Sequence, residues 1–238
     1  MLIERPPQIF RNLYPSALYR IETRRKEVFL TFDDGPIPEA TPWILDCLDR
    51  YDAKATFFMV GDNARRYPHL LRDVRERGHA IGNHTMHHLQ AARVNTRDYL
   101  ADVAEADAYL HTPLFRAPHG WLRRPQATAL RRHFRLVMYD LVTRDYSRYI
   151  DAAGITERVR RYTRPGSIIV FHDSLKSIAK LHTALPESLE WLRSEGYVFS
   201  LPDSRFFADT RFYPYAAHQL PGLSQAEMIP VALNAKQR

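Results

Sequence analysis

Short apolar runs alternate with longer amphipathic stretches along most of the chain. Residues 28–32 are an apolar run of strand type ending in the turn Asp33-Asp34-Gly35-Pro36. Thr41-Pro42 then opens a helix as cap and first residue, with Trp43, Ile44, Cys47, Leu48 and Tyr51 at helical spacing. Residues 55–60 read as a second strand. Pro68 begins a helix that Gly78 ends, and residues 79–83 follow as a third strand. A further helix, capped at Asn95 or Thr96, carries Tyr99, Val103, Ala106 and Leu110 on one face.

The rhythm repeats in the second half. Residues 114–116 predict a strand, 126–133 a helix, 136–139 a strand, 155–162 a helix and 167–171 a buried strand. A helix ending near Glu195-Gly196 leads to a last strand at 197–200, and Pro186 marks that helix's first turn or a kink rather than its middle. Alternating β and α elements imply a parallel sheet with helices outside. Roughly seven βα units without a linker favour an α/β fold of the (β/α) barrel kind. The chain divides into an N-terminal extension (1–25), a catalytic domain (26–201) and a C-terminal tail (202–238). The tail is rich in aromatics (Phe206, Phe207, Phe212, Tyr213, Tyr215) without periodicity, and packing over the barrel surface is the expectation for it.

Composition narrows the function classes. The 238 residues carry 34 Lys+Arg against 27 Asp+Glu, and 45% are hydrophobic, which excludes a disordered chain. No run of about 18 uncharged apolar residues exists to span a bilayer. Glu4, Arg5 and Pro6-Pro7 interrupt what would be the apolar stretch of a signal peptide, so a cytoplasmic location is expected. A single cysteine, Cys47, on a helical apolar face excludes an internal disulfide and a Cys-built zinc site. The basic balance invites nucleic acid, but the arginines are scattered, as at 65, 66, 72, 75 and 77, and no nucleic-acid-binding motif accompanies them.

Reactive residues gather where the predicted strands end. Asp33 and Asp34 end the first strand, and His84, His87 and His88 follow the third. Arg116 ends the fourth, Asp145 follows the fifth, and His172 and Asp173 end the sixth. In a barrel these ends converge on one mouth. One carboxylate with two imidazoles makes a three-ligand set for a catalytic zinc with a position left for water or substrate, His87 competing with His88 as the second imidazole. A second carboxylate there can take the water's proton, and a separate imidazole can protonate a leaving amine. Such parts describe metal-assisted hydrolysis of an amide or ester. The remaining histidines, at 69, 79, 111, 133, 182 and 218, lack chemical company.

The ordered segments FLTFDDGP, GNHTMHH, FRAPHG, TRDY and IIVFHDS resemble the five motifs of the polysaccharide deacetylases, the NodB-homology carbohydrate esterases, over residues 26–200. The resemblance implies a distorted (β/α) barrel that uses zinc, or another divalent transition metal, to remove acetyl groups from an N-acetylglucosamine-containing saccharide through a zinc-bound water. It implies Asp33 as base, Asp34, His84 and His88 as metal ligands, and Thr85 as a support of their loop. Arg116 would orient the base, Asp145 would tune the acid, and His172 would be that acid. Substrate contacts would come from His119, Gly120, Tyr146, Val170 and Phe171, with a backbone N–H near His119 helping to hold an oxyanion. His119 stands where relatives often have Tyr, Tyr146 where Trp is usual, and Val170-Phe171 where a Leu-x pair lines the acetate-methyl pocket. Competing readings are hydrolysis of a non-sugar amide or cyclic imide on the same fold, and non-catalytic saccharide binding.

Overall fold

All seven residues of the strand Glu27–Asp33 are buried, as befits the middle of a parallel sheet covered on both faces. The structure is a computed structural model and describes residues 4–207. In chain order it contains α1 (Gln8–Arg11), β1 (Glu27–Asp33), α2 (Thr41–Arg50), β2 (Ala55–Met59), α3 (Gly61–Arg66), α4 (Pro68–Glu76), β3 (Ala80–Asn83) and α5 (Thr96–Leu110). These are followed by β4 (Leu114–Phe115), α6 (Arg124–Leu130), β5 (Arg135–Leu136), β6 (Leu141–Val142), α7 (Ala152–Tyr162), β7 (Ser167–His172), α8 (Ile178–Ser194) and β8 (Val198–Phe199). The strands pair in parallel in the order β5-β4-β3-β2-β1-β7-β6, with β8 against the start of β1.

The sheet curls into a distorted (β/α) barrel whose edge strands β5 and β6 do not pair with each other. Residues 18–21 help to fill the gap between them. The Leu18 N–H donates to the Leu136 carbonyl, the Met138 N–H to Leu18, and the Ile21 N–H to Gly166. Gly166 has a φ of 78°, and a Cβ there would lie 1.8 Å from the Ile21 carbonyl oxygen, so the clasp requires glycine.

Strand alternation sorts the side chains. Phe32, Phe57 and Phe171 face outward into a large core against the helices, Phe32 stacking between the other two at centroid distances of 5.1 and 5.7 Å. Phe29, Phe58, Leu114 and Ile168 fill the barrel floor. Thr31, Asp33, Val170 and His172 lie on that same inner side, nearer the mouth, and the register sets Asp33 opposite His172. Both candidate side chains therefore occupy one layer.

Several expectations are revised. The strand before Asp145 is β6, which the sequence pattern did not reveal; β5 is only two residues long. The short α3 was also unforeseen. Asn95 is the cap of α5, its side chain accepting from the Asp98 N–H. Thr41 lies within α2 rather than capping it: its hydroxyl accepts from the Ile37 N–H and donates to Asp173. Pro186 sits inside a continuous α8, not in its first turn. The buried stripe of Leu181, Ala184 and Leu185 on one side of it, and Ser188, Leu189 and Leu192 on the other, anchors both halves and offsets the one missing hydrogen bond.

At the chain's far end Phe206 packs inside the barrel floor, edge-on to Phe29 at 5.0 Å, rather than over the outer surface. Arg205 pairs with Glu27 at the start of β1. Phe212, Tyr213 and Tyr215 lie outside the described residues. Among the described residues no helix is long and apolar enough to cross a membrane.

Asp140, fully buried just before β6, accepts from Arg11 and Arg164 at 3.0 and 2.6 Å and from the Ser167 hydroxyl at 2.8 Å. Burial opposes its charge, but these donors prevail and hold its carboxyl at about 2. The stability it supplies is thus present above the ordinary Asp value and lost as pH falls toward about 2. Asp140→Asn is expected to lower unfolding free energy at pH 7 by about 2 kcal/mol, since it leaves guanidinium groups without their carboxylate. The loss should shrink at low pH, as urea denaturation at pH 7 and at pH 3 would show; equal losses at both would contradict it.

Candidate active site

Arg116, immediately after β4, carries a guanidinium that is only 3% exposed. Such a charge is tolerable only with its N–H groups satisfied. Nη1 donates to Asp33 at 2.6 Å and to the Thr31 hydroxyl at 2.7 Å, Nη2 donates to the Met138 carbonyl, and Nε to that of Val137. The guanidinium carbon also lies 4.0 Å from the Phe58 ring centroid. Asp33 is thereby fixed in place at the end of β1.

The backbone of the same arginine holds a second functional group. His84 Nδ1–H donates to the Arg116 carbonyl at 2.8 Å, which leaves Nε2 as the free lone pair. Burial depresses this imidazole to about 4, so it is neutral at physiological pH. His84 Nε2 lies 3.7 Å and His88 Nε2 3.1 Å from Asp34 Oδ1. Burial raises the Asp34 carboxyl, but the hydrogen bond from His88 and the charges of His172, His84 and His88 outweigh it and hold the group well below the ordinary range. The three ligand atoms lie within 4.8 Å of one another. Two imidazole nitrogens and a carboxylate converging in this way fit a divalent transition metal, with a fourth position open.

His87 points elsewhere. Its Nδ1–H donates to Asp102 at 2.6 Å, and the side chain is 55% exposed. Asp102 also accepts from the backbone N–H groups of Met86 and His87, so it holds the turn that presents His84 and His88. Thr85 contributes as expected from its loop position, its hydroxyl accepting from the Leu89 N–H.

Opposite this cluster, at the end of β7, His172 Nδ1–H donates to Asp145 at 2.7 Å, and the His172 backbone N–H donates to the other carboxylate oxygen. Burial alone would depress the imidazole. The charge and hydrogen bond of Asp145, with Asp34 and Asp33 behind them, push it up to about 9. Asp145 is itself fully buried, and the Tyr146 ring meets the His172 ring edge-on at 4.8 Å.

A cavity of about 160 Å³ joins these groups. Asp33, Asp34, His84, His88, Arg116 and His172 form its polar side, and Met138, Tyr139, Val142 and Tyr146 its more apolar side. His119 and Gly120 line it from the turn after β4, where His119 has a φ of 60° and its ring lies 4.9 Å from that of His88. Burial and the neighbouring His88 push the His119 imidazole below its ordinary value. The Gly120 N–H donates to the Ala117 carbonyl.

Phe171 does not face the cavity. It points to the opposite side of β7 from His172, into the outer core, because neighbouring strand positions alternate. Val170 faces inward but packs beneath Tyr139, Val142 and Tyr146, which stand between it and the cavity.

Some supporting residues escaped the sequence reading. Asp102 sits on the buried face of α5 with Tyr99, Val103 and Ala106, and an acid on such a stripe is the signal that it must have partners. Asp173, which the sequence places at the end of the sixth predicted strand, does not line the cavity; it accepts from the Gly35 N–H and the Thr41 hydroxyl, tying the turn after β1 to β7. A Cβ at Gly35 would lie 1.7 Å from Asp173 Oδ2, so that turn has room only for glycine. Val142 directly precedes the TRDY motif and Met138 and Tyr139 end the strand predicted at 136–139, but as apolar side chains there they carry no sign that they line a cavity.

Comparison with known proteins adds independent findings. The family model for polysaccharide deacetylase matches residues 20–138. A peptidoglycan-N-acetylglucosamine deacetylase of Bacillus cereus is 37% identical over 157 residues, which cover 63% of this chain and 57% of that protein. A chitooligosaccharide deacetylase of Sinorhizobium fredii is 37% identical over 169 residues, 67% of this chain and 78% of the relative. Among solved structures, a peptidoglycan N-acetylglucosamine deacetylase in complex with a naphthalenyl N-oxidanyl-benzamide superposes with a TM-score of 0.76 at 30% identity. That superposition covers 82% of this chain and 94% of the other.

The geometry separates the two histidines that compete for the third ligand position. His88→Ala is expected to weaken zinc binding at least about a hundredfold, whereas His87→Ala, which loses only a supporting contact to Asp102, should weaken it by about tenfold or less. Competitive titration of metal-stripped protein with zinc against a chromogenic chelator would check this; a larger loss in the His87 variant would reverse the assignment.

Proposed function

The chain belongs to the polysaccharide deacetylase family, and from that premise we propose that it is a metal-dependent hydrolase releasing acetate from an N-acetylglucosamine-containing saccharide. The observation that carries the reading is the facing pair of carboxylate and imidazole, Asp33 held by Arg116 and His172 held by Asp145, on either side of a three-ligand metal cluster. A binding module has no evident use for both proton-transfer groups. The relatives' substrates, peptidoglycan and chitooligosaccharide, share the N-acetylated sugar.

Asp34, His84 and His88 would hold the ion, with zinc the best match to two imidazoles and a carboxylate. When bound, it supplies Lewis-acid polarisation of the acyl oxygen and an acidified water. Asp33 accepts the proton of the attacking water, and its hydrogen bond to Arg116 keeps the accepting oxygen in place. His172 enters the reaction as an imidazolium. Because Asp145 occupies Nδ1–H, the transferable proton is the one on Nε2, and it goes to the departing sugar nitrogen, which leaves badly as an anion. The His119 backbone N–H helps to hold the oxyanion, the Gly120 N–H being already engaged.

The cavity's size suits this substrate. At about 160 Å³ it is below the roughly 300 Å³ at which pockets for larger ligands begin. A small acyl group fits, its methyl against Tyr139, Val142 and Tyr146, while the saccharide extends across the mouth.

Acetate release from N-acetylglucosamine oligomers by metal-stripped protein, with and without added zinc, tests the reaction class; no zinc-dependent release from any oligomer or from peptidoglycan would overturn it. Asp33→Asn is expected to lower kcat by roughly 10²–10⁴-fold with zinc affinity retained. His84→Ala should lose both.

A second expectation concerns pH. The group that must be protonated, His172, is raised above its ordinary value chiefly by the charge and hydrogen bond of Asp145, so turnover should hold through neutrality and fall at alkaline pH as that proton is lost. Asp145→Asn removes the main support of the charged form. It should move the alkaline limb of the kcat profile downward by at least about one unit, and an unmoved limb would show that His172 is not the acid.

A further inference from the structure

Arginines that are scattered in sequence come together at the end of the barrel opposite the active site. A cavity of about 1230 Å³ opens there, beside the starts of β5 and β7 and the segment leading into β6. Arg5, Arg11 and Arg164 lie 3.4, 3.0 and 2.6 Å from a single oxygen of Asp140. One carboxylate cannot neutralise three guanidinium groups, so the cluster keeps an excess of positive charge.

Further cations line the same walls. Arg20 Nη1 donates to the Pro165 carbonyl, which positions the guanidinium without cancelling its charge. Arg135 Nη1 donates to the Ser16 carbonyl. Arg131 adds an exposed cation, whereas Arg205 is matched by Glu27 and Asp203. Glu22 is the sole acid among the described lining residues. A concave surface of one sign focuses its field and raises the local concentration of the opposite ion. Guanidinium groups held in fixed orientations are suited to oxyanions through paired hydrogen bonds.

We propose that this cavity is a second binding site that takes an oligoanion, a chain bearing several phosphate or carboxylate groups. The volume is too large for one such group and suits several in sequence. β1, seven residues long, runs from this end of the barrel to Asp33, so roughly 20 Å separates the two sites. An anion bound here leaves the active-site mouth open, and the protein can be held on an anionic polymer while it acts on a neutral saccharide. The site does not depend on the proposed deacetylase activity.

The test is calorimetric titration of the full chain with sodium tripolyphosphate and, separately, with hexaglutamate, at low and at physiological ionic strength. Saturable binding of either probe is expected, the tighter one identifying the oxyanion, and it should weaken as salt rises. The paired variant Arg20→Gln/Arg131→Gln should weaken binding at least about tenfold, while Arg160→Gln/Arg161→Gln, which removes the same charge from exposed positions on α7, should change it less than about twofold. Arg131→Gln alone, on an exposed side chain, should weaken binding about threefold and keeps the test open if the pair lowers stability. Absence of binding by both probes, or equal weakening by the cavity and α7 variants, would overturn the proposal; the latter is the signature of net charge alone.

Discussion

The buried guanidinium of Arg116 is the constraint around which the active site is arranged. A charge that is 3% exposed must have its hydrogen bonds made inside the protein. Its donors reach β1 through Thr31 and Asp33 and the segment after β5 through Val137 and Met138. Its carbonyl, accepting from His84, fixes the tautomer of a metal-ligand candidate. One residue at the end of a two-residue strand thus sets both the carboxylate that can take a proton and the imidazole that can hold an ion. Loss of the side chain would leave Asp33 buried without its counter-charge, and stability and chemistry would suffer from one cause.

The parallel sheet makes this concentration possible. All strands run the same way, so each contributes its C-terminal end to one mouth, and the side-chain alternation within each strand decides what is presented there. In β1 and β7 the register pairs Asp33 with His172, and the intervening positions send Phe32 and Phe171 into the outer core. The same alternation excludes Phe171 from substrate contact while leaving Val170 beneath the wall that Tyr139, Val142 and Tyr146 build.

This division explains what was legible in the sequence. Groups at strand ends were visible, because a reactive side chain immediately after an apolar run is a local pattern; Asp33, Asp34, His84, Arg116 and His172 were found in that way. The choice between His87 and His88 was not local, because it rests on Asp102 from the buried face of α5 capturing one of them. The strand β6 is two residues long and owes its existence to β7, and the clasp formed by residues 18–21 depends on Gly166, far away in the chain. Pro186 was misplaced for the opposite reason: a local rule about proline yielded to packing along the whole of α8. The arginines looked dispersed because only the fold brings the residues near 5, 11, 20, 131, 135 and 164 to one surface.

Charge in the mouth is arranged differently from charge at the other end. Asp33, Asp34 and Asp145 face Arg116 and a protonated His172, while Asp173, raised to about 8 by burial, is neutral at physiological pH. Lys176 lines the same cavity, and a divalent cation on Asp34, His84 and His88 would add two further positive charges there. Attack of water on a neutral amide leaves the total charge unchanged, because the proton that Asp33 gains offsets the negative charge that develops on the acyl oxygen. What changes is its place: negative charge moves from Asp33 to the acyl oxygen, where the cations of the mouth can meet it. In the arginine-lined cavity Asp140 answers only part of the positive charge. Its excess calls for an anion that is already charged when it arrives, whereas the mouth is arranged for a charge that forms on the substrate only during reaction.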